Sequence, residues 1–356
     1  MDLTIKTNKQ MKKYLFIIAA TLGLASCSAD LTQEECPVIL NVGVKSPFVQ
    51  TRATMAGTSG ENHISSIQVF VFKQNQGTYM LEAAAKADAA TLDVTVTAGN
   101  KDVLVLVNEP SDYTSETDRS VLLAKVSNLS DNTASGMVMM GYSSCHVSTA
   151  EHVIEVPVNR LASRVRLCKL TNNLVNGYAS KNVKLARVFL TSVAASAPFS
   201  PDGASSGFYA TAGIASALDL DGTSVSSASV KAAVNSLIYK SISSEIIPEG
   251  ASYSTPVPLY GYPNDGTTAK THLVIELEID GSFFTYPVEL PPMERNCTCE
   301  VTELVITAIG NPSDGDDELD PGEDEPITFT QATFNVTVQP WTIVNVSNNS
   351  DGKYTI

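Results

Sequence analysis

A cysteine near the start of the chain is the first residue whose surroundings indicate a chemical reaction. Cys27 ends the motif LASC (24–27), in which small residues directly precede the sulfur-bearing side chain. A bacterial lipoprotein signal peptidase needs this arrangement, because its pocket admits only small side chains beside the lipid-carrying cysteine. We therefore expect Cys27 to carry a lipid. An ordinary secretory signal with a chance cysteine is the alternative.

The second candidate is Arg52, which lies 25 residues after Cys27. The segment TRATMAGTSG (51–60) is rich in threonine, serine and glycine, residues that are typical of exposed turns and loops. An exposed arginine so close behind an anchor offers a site at which the anchor could be cut away. A solvated loop arginine with no such role is the alternative.

The residues before Cys27 form a targeting segment rather than part of the fold. Lys12 and Lys13 precede the apolar run LFIIAATLGLA (15–25). This run is too short to cross a bilayer as a permanent helix. Residues 1–27 are therefore predicted to be a lipoprotein signal peptide that ends in a lipobox.

The composition limits the classes of protein to which the rest of the chain can belong. A length of 356 residues favours two domains, and a hydrophobic content of 43% is enough to fill their cores. The chain has 23 Lys+Arg against 38 Asp+Glu, a formal net charge of −15. Because nucleic acids and anionic membranes attract basic patches, this balance argues against both as partners. We expect a surface-exposed protein.

Five cysteines remain if Cys27 is lipidated: Cys36, Cys145, Cys168, Cys297 and Cys299. Export permits disulfides, and Cys145–Cys168 is the candidate pair because both residues flank a predicted strand. Buried free thiols are the alternative. The i, i+2 spacing of Cys297 and Cys299 puts both sulfurs on one face of a strand. No further cysteine or histidine follows at the spacing of a metal site, so we expect core residues and no metal.

Strand patterns dominate the chain. Val38, Leu40, Val42 and Val44 alternate on one face of the run PVILNVGV. Further strands are predicted at 64–72, 91–97, 102–110, 137–142, 152–158, 160–170 and 182–193, and in VPLYGYP, HLVIELEI, SFFTYPVEL and CEVTELVITAIG. Asp-Gly at 280–281 predicts a hairpin turn. Many short strands with few helices indicate an all-β protein of β-sandwiches.

Other segments interrupt this pattern. Helices are predicted at 117–129, capped by Thr117, and at 230–240. Residues 194–230 read as a Ser/Gly/Ala-rich excursion. The segment NPSDGDDELDPGEDEP (311–326) combines like charges with glycine and proline. It predicts an extended linker, with a cation site as the alternative.

The chain resumes as a strand after the acidic segment. Phe334, Val336 and Val338 alternate on one face, Pro340 breaks the register, and Trp341 and Ile343 then alternate again; these five apolar residues belong to the run ITFTQATFNVTVQPWTIVNV (327–346). Such a terminal strand is either tucked into its own sheet or offered to the open edge of another molecule.

In their order and combination, several motifs make nearly the whole chain resemble a known family. They are LASC, the TR some 25 residues later, VLVLVNEP (103–110), VPVNRLASRVRLCKL (156–170), RNCTCEVTELVITAIGNPSDGD (295–316) and FNVTVQPWTIVN (334–345). The chain is similar to the FimA/Mfa1-like fimbrial shaft subunits of Bacteroidales, which build type V pili. The resemblance implies two transthyretin-like β-sandwich domains.

The resemblance also implies a maturation pathway. The precursor would be exported as a lipoprotein on Cys27 and reach the outer membrane. An Arg-specific surface protease would cut after Arg52, so that Ala53 becomes the N-terminus and the strand within 37–49 is lost. The C-terminal strand of another subunit would fill the groove, which polymerises the pilus. The residues that leave the groove would be Val38, Leu40, Val42 and Val44, and those that fill it would be Phe334, Val336, Val338, Trp341 and Ile343.

This interpretation divides the chain into six segments. They are a signal peptide (1–27), a propeptide with the removed strand (28–52), an N-terminal sandwich (53–159), a C-terminal sandwich (160–310), an acidic linker (311–326) and a donor-strand segment (327–356). The expected partners are identical or homologous pilus subunits, the Arg-specific protease, the outer membrane through the lipid, and a host or bacterial surface ligand. No cofactor is expected.

Other functions fit the sequence less well. A lipid-retaining anchor subunit would not need a cuttable Arg52, and a tip or accessory adhesin would not need a donor strand. For an enzyme, the sequence lacks a GxSxG elbow, an HExxH motif and a phosphate-binding glycine loop. Cys145 and His146 are adjacent on a strand and point to opposite faces, so they form no catalytic dyad. A glycosidase carboxylate pair leaves no sequence signature, but with no other catalytic motif in the sequence we expect the protein not to be an enzyme.

Overall fold

The computed structural model describes residues 37–45, 58–75, 77–148, 152–211, 227–316, 323 and 332–340. Predictions that concern Cys27, Cys36, Arg52, Ala53, Trp341 and Ile343 lie outside these residues. Among the described residues, no helix has the length and apolar character needed to cross a membrane.

The first half of the described chain is built from eight strands and one short helix. In chain order they are β1 (Pro37–Lys45), β2 (Ile67–Asn75), β3 (Thr78–Ala87), β4 (Thr91–Thr97), β5 (Gly99–Val107), α1 (Arg119–Ala124), β6 (Val126–Asn128), β7 (Met139–Val147) and β8 (His152–Arg160). Seven of the strands form one sheet in the order β3-β2-β5-β7-β8-β1-β4. Because β4 also contacts β2 and β3, the sheet folds around a core of its own.

The second half adds thirteen strands and one helix. They are β9 (Ser163–Leu167), β10 (Leu170–Asn172), β11 (Val183–Thr191), β12 (Val193–Pro198), β13 (Ser206–Tyr209), α2 (Ala228–Ile238), β14 (Tyr239–Ser241), β15 (Ser252–Tyr253), β16 (Val257–Gly261), β17 (His272–Ile279), β18 (Ser282–Glu289), β19 (Cys297–Ile306), β20 (Asn311–Ser313) and β21 (Ala332–Pro340). One sheet contains β9, β10, β15, β16, β19 and β21, and a second has the order β14-β11-β17-β18-β20. The all-β prediction is confirmed.

Two apolar clusters fill this architecture. One lies inside the curled seven-stranded sheet and takes its side chains from β1, β2, β4, β5, β7 and β8. The other is larger and collects Phe70 and Leu104 from the first half of the chain together with many residues of the second half, such as Val165 and Leu277. The predicted domain boundary near residue 160 falls in the turn between β8 and β9, and the larger cluster continues across it.

Sequence patterns located most strands and both helices, with corrections at the ends. The predicted helix 117–129 is shorter, because Asp118 rather than Thr117 caps α1: its Oδ1 accepts hydrogen bonds from Ser120 N (2.7 Å) and Val121 N (3.3 Å). After α1 the chain turns extended and pairs as β6 with β12. The hairpin at Asp280-Gly281 is confirmed, with positive φ angles of 51° and 86°.

Two segments expected to be irregular contain strands. Residues 194–230 include most of β12 and all of β13, which pair with each other. The acidic linker begins with β20, which pairs with β18. Ser313 Oγ donates to Glu276 Oε1 (2.8 Å), and the buried Glu323 accepts a hydrogen bond at its carbonyl oxygen from Thr285 Oγ1 (2.7 Å). This part of the acidic segment is therefore docked on the second sheet rather than extended in solvent.

The cysteines that the structure describes are all free. Cys145 and Cys168 are half-buried and do not pair, so the candidate disulfide is wrong. Cys297 and Cys299 are buried, as expected for core residues. Burial raises the pKa of the Cys299 thiol to about 12, and the charge of Glu300 adds to this effect. Within the described part of the chain, no group of three or more Cys, His, Asp or Glu side chains is arranged to hold a metal.

Replacing Gly141 by alanine tests how tightly β7 packs on β8. An added Cβ would lie 2.4 Å from Pro157 O and 2.6 Å from Val158 Cγ1. We expect Gly141→Ala to lower the free energy of unfolding by about 1–3 kcal/mol through overpacking, measured by urea denaturation. Gly43→Ala in β1 is the control, because its Cβ would meet Thr91 Cγ2 at an ordinary 3.7 Å. Equal stabilities of the two variants would contradict this packing.

Candidate functional site

The first strand of the fold is a core strand. Val38, Leu40 and Val42 of β1 point inward and are at most 4% exposed, whereas Ile39 on the other face is 52% exposed. Val44 is half-buried against the same apolar cluster. The strand and the apolar face predicted from period-two alternation are therefore confirmed. The removal of this strand stays a prediction.

The position of β1 between β8 and β4 is called the β1 slot below. β1 runs parallel to β8, with Leu40 opposite His152 and Val44 opposite Val156. On the other side, Val44 N donates to Ala90 O (3.0 Å) next to β4, and Asn41 Nδ2 donates to Asp93 Oδ1 (2.6 Å) within it. An empty slot would leave two strand edges without partners, which is unfavourable because backbone polar groups need hydrogen bonds.

The floor of the β1 slot is apolar. It consists of the buried side chains that share a cluster with Val38, Leu40 and Val42, namely Ile67, Val69, Val71, Val94, Val96, Val103, Val105, Val107, Met139, Val147, Ile154, Val156 and Val158. Most are β-branched, which suits side chains packed on a pleated sheet. Without β1 this floor would lose its cover on one side, so the slot requires an apolar strand to fill it.

The C-terminal strand predicted from the sequence is also present. β21 pairs antiparallel with the whole of β19, with Phe334 opposite Leu304, Val336 opposite Val301 and Val338 opposite Cys299. Since β9 and β10 pair with β19 as well, β21 covers the remaining edge of that strand. β1 and β21 are each nine residues long. The donor role of Phe334, Val336 and Val338 stays a prediction.

A buried polar cluster lies where the two halves of the chain meet. It is called the Glu61 cluster and comprises Glu61, Arg160, Arg164, Tyr260 and Asn296. Its centre is Glu61, which is fully buried. Arg164 Nη1 donates to both carboxylate oxygens of Glu61 (3.1 and 3.0 Å), and Tyr260 Oη donates to Oε1 (2.7 Å). Side-chain hydrogen bonds in the cluster therefore connect a carboxylate ahead of β2 to strands β9 and β16.

The rest of the Glu61 cluster holds the backbone around the carboxylate. Arg160 Nε donates to Glu61 O (2.9 Å), and its Nη atoms donate to the side-chain oxygens of Asn62 and of Asn296, the latter at 3.1 Å. Thr58 N donates to Glu61 Oε2 (2.5 Å). Charge-assisted hydrogen bonds of this kind are stronger than neutral ones, so residues 58–62 are fixed at several points.

Opposing effects set the ionisation of this cluster. Burial works to raise the pKa of Glu61, but the positive charge of Arg164 and the hydrogen bonds from Thr58 and Tyr260 outweigh it, and the pKa lies below its usual range. Burial lowers the pKa of Arg160 to about 10, against the attraction of Glu61. At neutral pH both groups carry their charges. The cluster is thus an ion-pair network rather than a neutral one.

The residues of the Glu61 cluster have no predicted role, although most of them lie in motifs that the sequence makes visible. Arg160 and Arg164 lie in RLASRVR, and Asn296 lies in RNCTC. A usable signal was present: arginines that alternate with Leu, Ala and Val in a strand are seldom buried unless they are paired. Their partner, Glu61, lies about 100 residues away in an irregular segment, and no local pattern could have identified it.

The curled first sheet with its β1 slot, followed by a second pair of sheets, defines an all-β protein of the sandwich type. Residues 37–159 match the family model of the major fimbrial subunit protein (FimA). This match confirms the resemblance to fimbrial subunits for the N-terminal part of the chain. A search of the curated proteins found no match.

Solved structures share the fold over most of the chain. A proposed cell adhesion protein from Parabacteroides distasonis is 14% identical, with a TM-score of 0.60 over 87% of this chain and 98% of that one. A proposed cell adhesion protein from Bacteroides eggerthii is 16% identical (TM-score 0.57, 88% and 98%). A fimbrilin (FimA) from Porphyromonas gingivalis is 13% identical (TM-score 0.55, 86% and 98%). At these identities the likeness establishes a common fold.

The charge of Glu61 should make the protein sensitive to acid. Because the folded state lowers the pKa of Glu61, its stabilising effect is complete above about pH 4.3, the ordinary value for glutamate. It disappears as the pH falls through the lower folded-state value. We expect Glu61→Gln to lower the free energy of unfolding at pH 7 by about 3–5 kcal/mol, since a buried arginine loses its counter-charge. The difference from wild type should shrink below pH 4, as measured by urea denaturation.

The control for this experiment is Glu303→Gln. Glu303 also forms an ion pair, with Lys169, but both side chains are more than a third exposed (34% and 41%). Exposed pairs of this kind contribute at most about 1 kcal/mol, so the control should stay close to wild type at every pH. A Glu61→Gln variant whose deficit is the same at pH 7 and pH 3.5 would show that the carboxylate charge is not the acid-sensitive group.

Proposed function

We propose that this protein is a structural subunit of a cell-surface fimbria and forms part of the pilus shaft. It is exported as a lipoprotein on Cys27, cut after Arg52 by an Arg-specific protease, and polymerised when the C-terminal strand of one subunit fills the β1 slot of the next. The filament then supports adhesion and biofilm formation. The family match over residues 37–159 supports a fimbrial subunit, and the geometry of β1 supports the exchange.

The position of β1 is the observation that carries the proposal. The strand comes first among the described elements, and its inward side chains complete an apolar core. The predicted cut at Arg52 falls in the connection between β1 and residue 58. A cut there leaves β1 attached by noncovalent contacts alone. Another strand can therefore replace β1 without changing the order of the remaining strands in the sheet.

Proteolysis is required because a tethered strand outcompetes a free one. While residues 46–57 connect β1 to the rest of the fold, β1 is held near its slot at an effective concentration of roughly millimolar or above. A donor strand from another subunit cannot displace it at ordinary concentrations. Once the connection is cut, β1 dissociates into solution and is diluted. The exchange then becomes effectively irreversible.

The donor strand must replace what β1 supplied. Val38, Leu40 and Val42 are buried, and each such side chain stabilises by about 1.5–3 kcal/mol. Phe334, Val336, Val338, Trp341 and Ile343 offer five apolar side chains with larger total area. β21 is suited to leave its own sheet, because among the described strands it lies at an edge and pairs with β19 alone. β21 would thus give up a pairing at the edge of its own sheet and take an interior position in the sheet of the next subunit.

The lipid has a transient role in this scheme. Cys27 anchors the precursor in the outer membrane until the protease removes residues 28–52 together with the anchor. The subunit then becomes part of an extracellular filament. Its partners are neighbouring subunits of the same or a homologous kind, and adhesion involves a host or bacterial surface ligand. A subunit that keeps its lipid would instead be the anchor of such a pilus, and one without a donor strand would be a tip or accessory adhesin.

The N-terminus of the filament protein tests the cut. Filaments sheared from the cell surface should contain subunits that begin at Ala53, as shown by intact mass and terminal sequencing. Arg52→Lys keeps the positive charge but removes the arginine that the protease recognises, so this variant should accumulate as lipid-bearing precursor and form no filament. A filament protein that begins at a lipidated Cys27 would refute the shaft assignment and favour the anchor.

The donor strand is tested at Trp341. We expect Trp341→Ser to leave the monomer folded and to abolish polymerisation after cleavage, because a polar side chain cannot replace a large apolar one in the slot. Trp341→Phe should polymerise, since the side chain stays large and apolar. Filament formation by purified, cleaved subunits can be followed by light scattering. If Trp341→Ser subunits polymerised like wild type, the donor assignment would be wrong.

A further inference from the structure

The segment that follows the predicted cut is fastened to the fold from two sides. On one side, the Glu61 cluster binds residues 58–62. On the other side, Ser65 N donates to Asn108 Oδ1 (2.8 Å), and Asn108 Nδ2 donates to His63 O (2.8 Å) and Met137 O (3.0 Å). The backbone of Asn108 also donates to Ser66 O (3.0 Å). Residues 58–66 thus lack regular secondary structure and are nevertheless held throughout.

The residues that hold this segment come from three separate motifs. Asn108 belongs to VLVLVNEP, Arg160 and Arg164 belong to VPVNRLASRVRLCKL, and Asn296 belongs to RNCTCEV. Asn108 adopts a positive φ of 57°, a conformation that asparagine tolerates better than most residues. Asn108, Arg160 and Arg164 contact the chain just ahead of β2 directly. Asn296 acts through Arg160, from whose Nη1 it accepts a hydrogen bond.

We propose that the Glu61 cluster and Asn108 are positioning residues that keep the processed N-terminus on the subunit body, so that cleavage after Arg52 frees β1 and nothing beyond it. The inference rests on the proposed function for the place of the cut. Residues 58–66 are the retained segment, and they form the boundary at which removal of the N-terminal strand stops.

The sheet order explains why such a boundary is needed. β1 lies between β8 and β4, whereas β2 lies between β3 and β5. β1 and β2 thus occupy separate positions in the sheet, and among the described residues no sheet pairing holds 58–66, which lead into β2. A newly cut end normally frays when its backbone has few partners. Without an anchor, fraying would proceed to β2, which is an interior strand of the slot floor.

The chemistry of the anchor makes detachment of the segment unfavourable. Lifting Glu61 out of its site would leave Arg164, which is 3% exposed, without the carboxylate that its Nη1 contacts. A buried charge that loses its partner is strongly destabilised. β1, by contrast, is held by apolar contacts and backbone hydrogen bonds, both of which a donor strand can supply, and by one exposed side-chain hydrogen bond from Asn41 to Asp93. The strand is therefore replaceable and the segment is not.

The anchor also joins the retained N-terminus to the sheet that holds β21. Arg164 and Tyr260 belong to β9 and β16, and Arg164 Nε donates to Thr298 Oγ1 of β19 (3.2 Å). The segment ahead of β2 is thereby fixed to the same sheet whose edge β21 covers. In a filament, these side chains would connect the segment beside the β1 slot of a subunit to the sheet that carries its donor strand.

Hydrogen exchange followed by mass spectrometry tests the proposal on the purified chain before and after cleavage at Arg52 by an Arg-specific protease. In wild type, amides of residues 58–66 should keep their protection after the cut, while those of 37–45 lose theirs as β1 leaves. In cleaved Glu61→Gln, exchange at 58–63 should accelerate by about tenfold or more, because the lost contacts are hydrogen bonds to a charged group. Exchange at the start of β2 should rise by a smaller factor, because Asn108 still holds residues 63–66 ahead of it.

Glu82→Gln is the matched control. It breaks the ion pair with the buried Lys101 in the same sheet, by the same substitution, away from residues 58–66. The control should leave exchange at 58–63 within about twofold of wild type. Equal acceleration at 58–63 in both variants would reduce Glu61 to a general contributor to stability and overturn the proposal. So would a cleaved wild type in which 58–66 exchanges as fast as an unfolded peptide.

If Glu61→Gln does not fold, Tyr260→Phe is the variant to use in the hydrogen-exchange experiment. It removes one hydrogen bond to Glu61 and keeps the ion pair, so exchange at 58–63 of the cleaved protein should rise by a smaller factor, about two- to fivefold. No change would count against the proposal. These readouts use monomers cleaved in vitro. A failure of the cleaved protein to polymerise would refute the proposed function and leave the result for the anchor standing.

Discussion

The structure depends on the need to cover an apolar floor and two strand edges at the position of β1. Unpaired backbone groups at a strand edge and valine side chains left exposed on a sheet face both raise the free energy of the folded state. The fold as described meets this need with its own first strand, through Val38, Leu40 and Val42. Nothing in the requirement specifies that the covering strand must belong to the same chain. The proposed strand exchange between subunits would be a direct use of that freedom.

The two terminal strands differ in how they are held. β1 occupies an interior place between β8 and β4, and β21 covers the edge of β19. An edge strand shares hydrogen bonds with one neighbour and an interior strand with two, so β21 is the easier of the two to release. The start of the acidic segment is docked, with β20 and Glu323 on the second sheet, so the residues beyond it would have to carry the proposed donor strand toward another subunit.

Buried charge separates the segment that is proposed to stay from the strand that is proposed to leave. The Glu61 cluster places a carboxylate, two guanidinium groups and a tyrosine hydroxyl in the interior. Such a network is costly to assemble and more costly to break in part. It lies between the predicted cut and β2 along the chain, and between the two halves of the fold in space. β1 contributes no charged residue to it.

The sequence alone determined much of the fold. Alternating apolar residues located β1, β4, β17, β18 and β19, because burial on one face leaves a period-two pattern, and Asp280-Gly281 marked a hairpin through its backbone preference. It also carried the motifs on which the family resemblance rests. Tertiary structure alone decided β3, whose segment LEAAAKA has the composition of a helix but pairs with β2, since cross-strand contacts override local propensity. It also decided that Cys145 and Cys168 stay apart and that Glu61 meets Arg164. Those contacts join residues distant in sequence, and no local pattern records them.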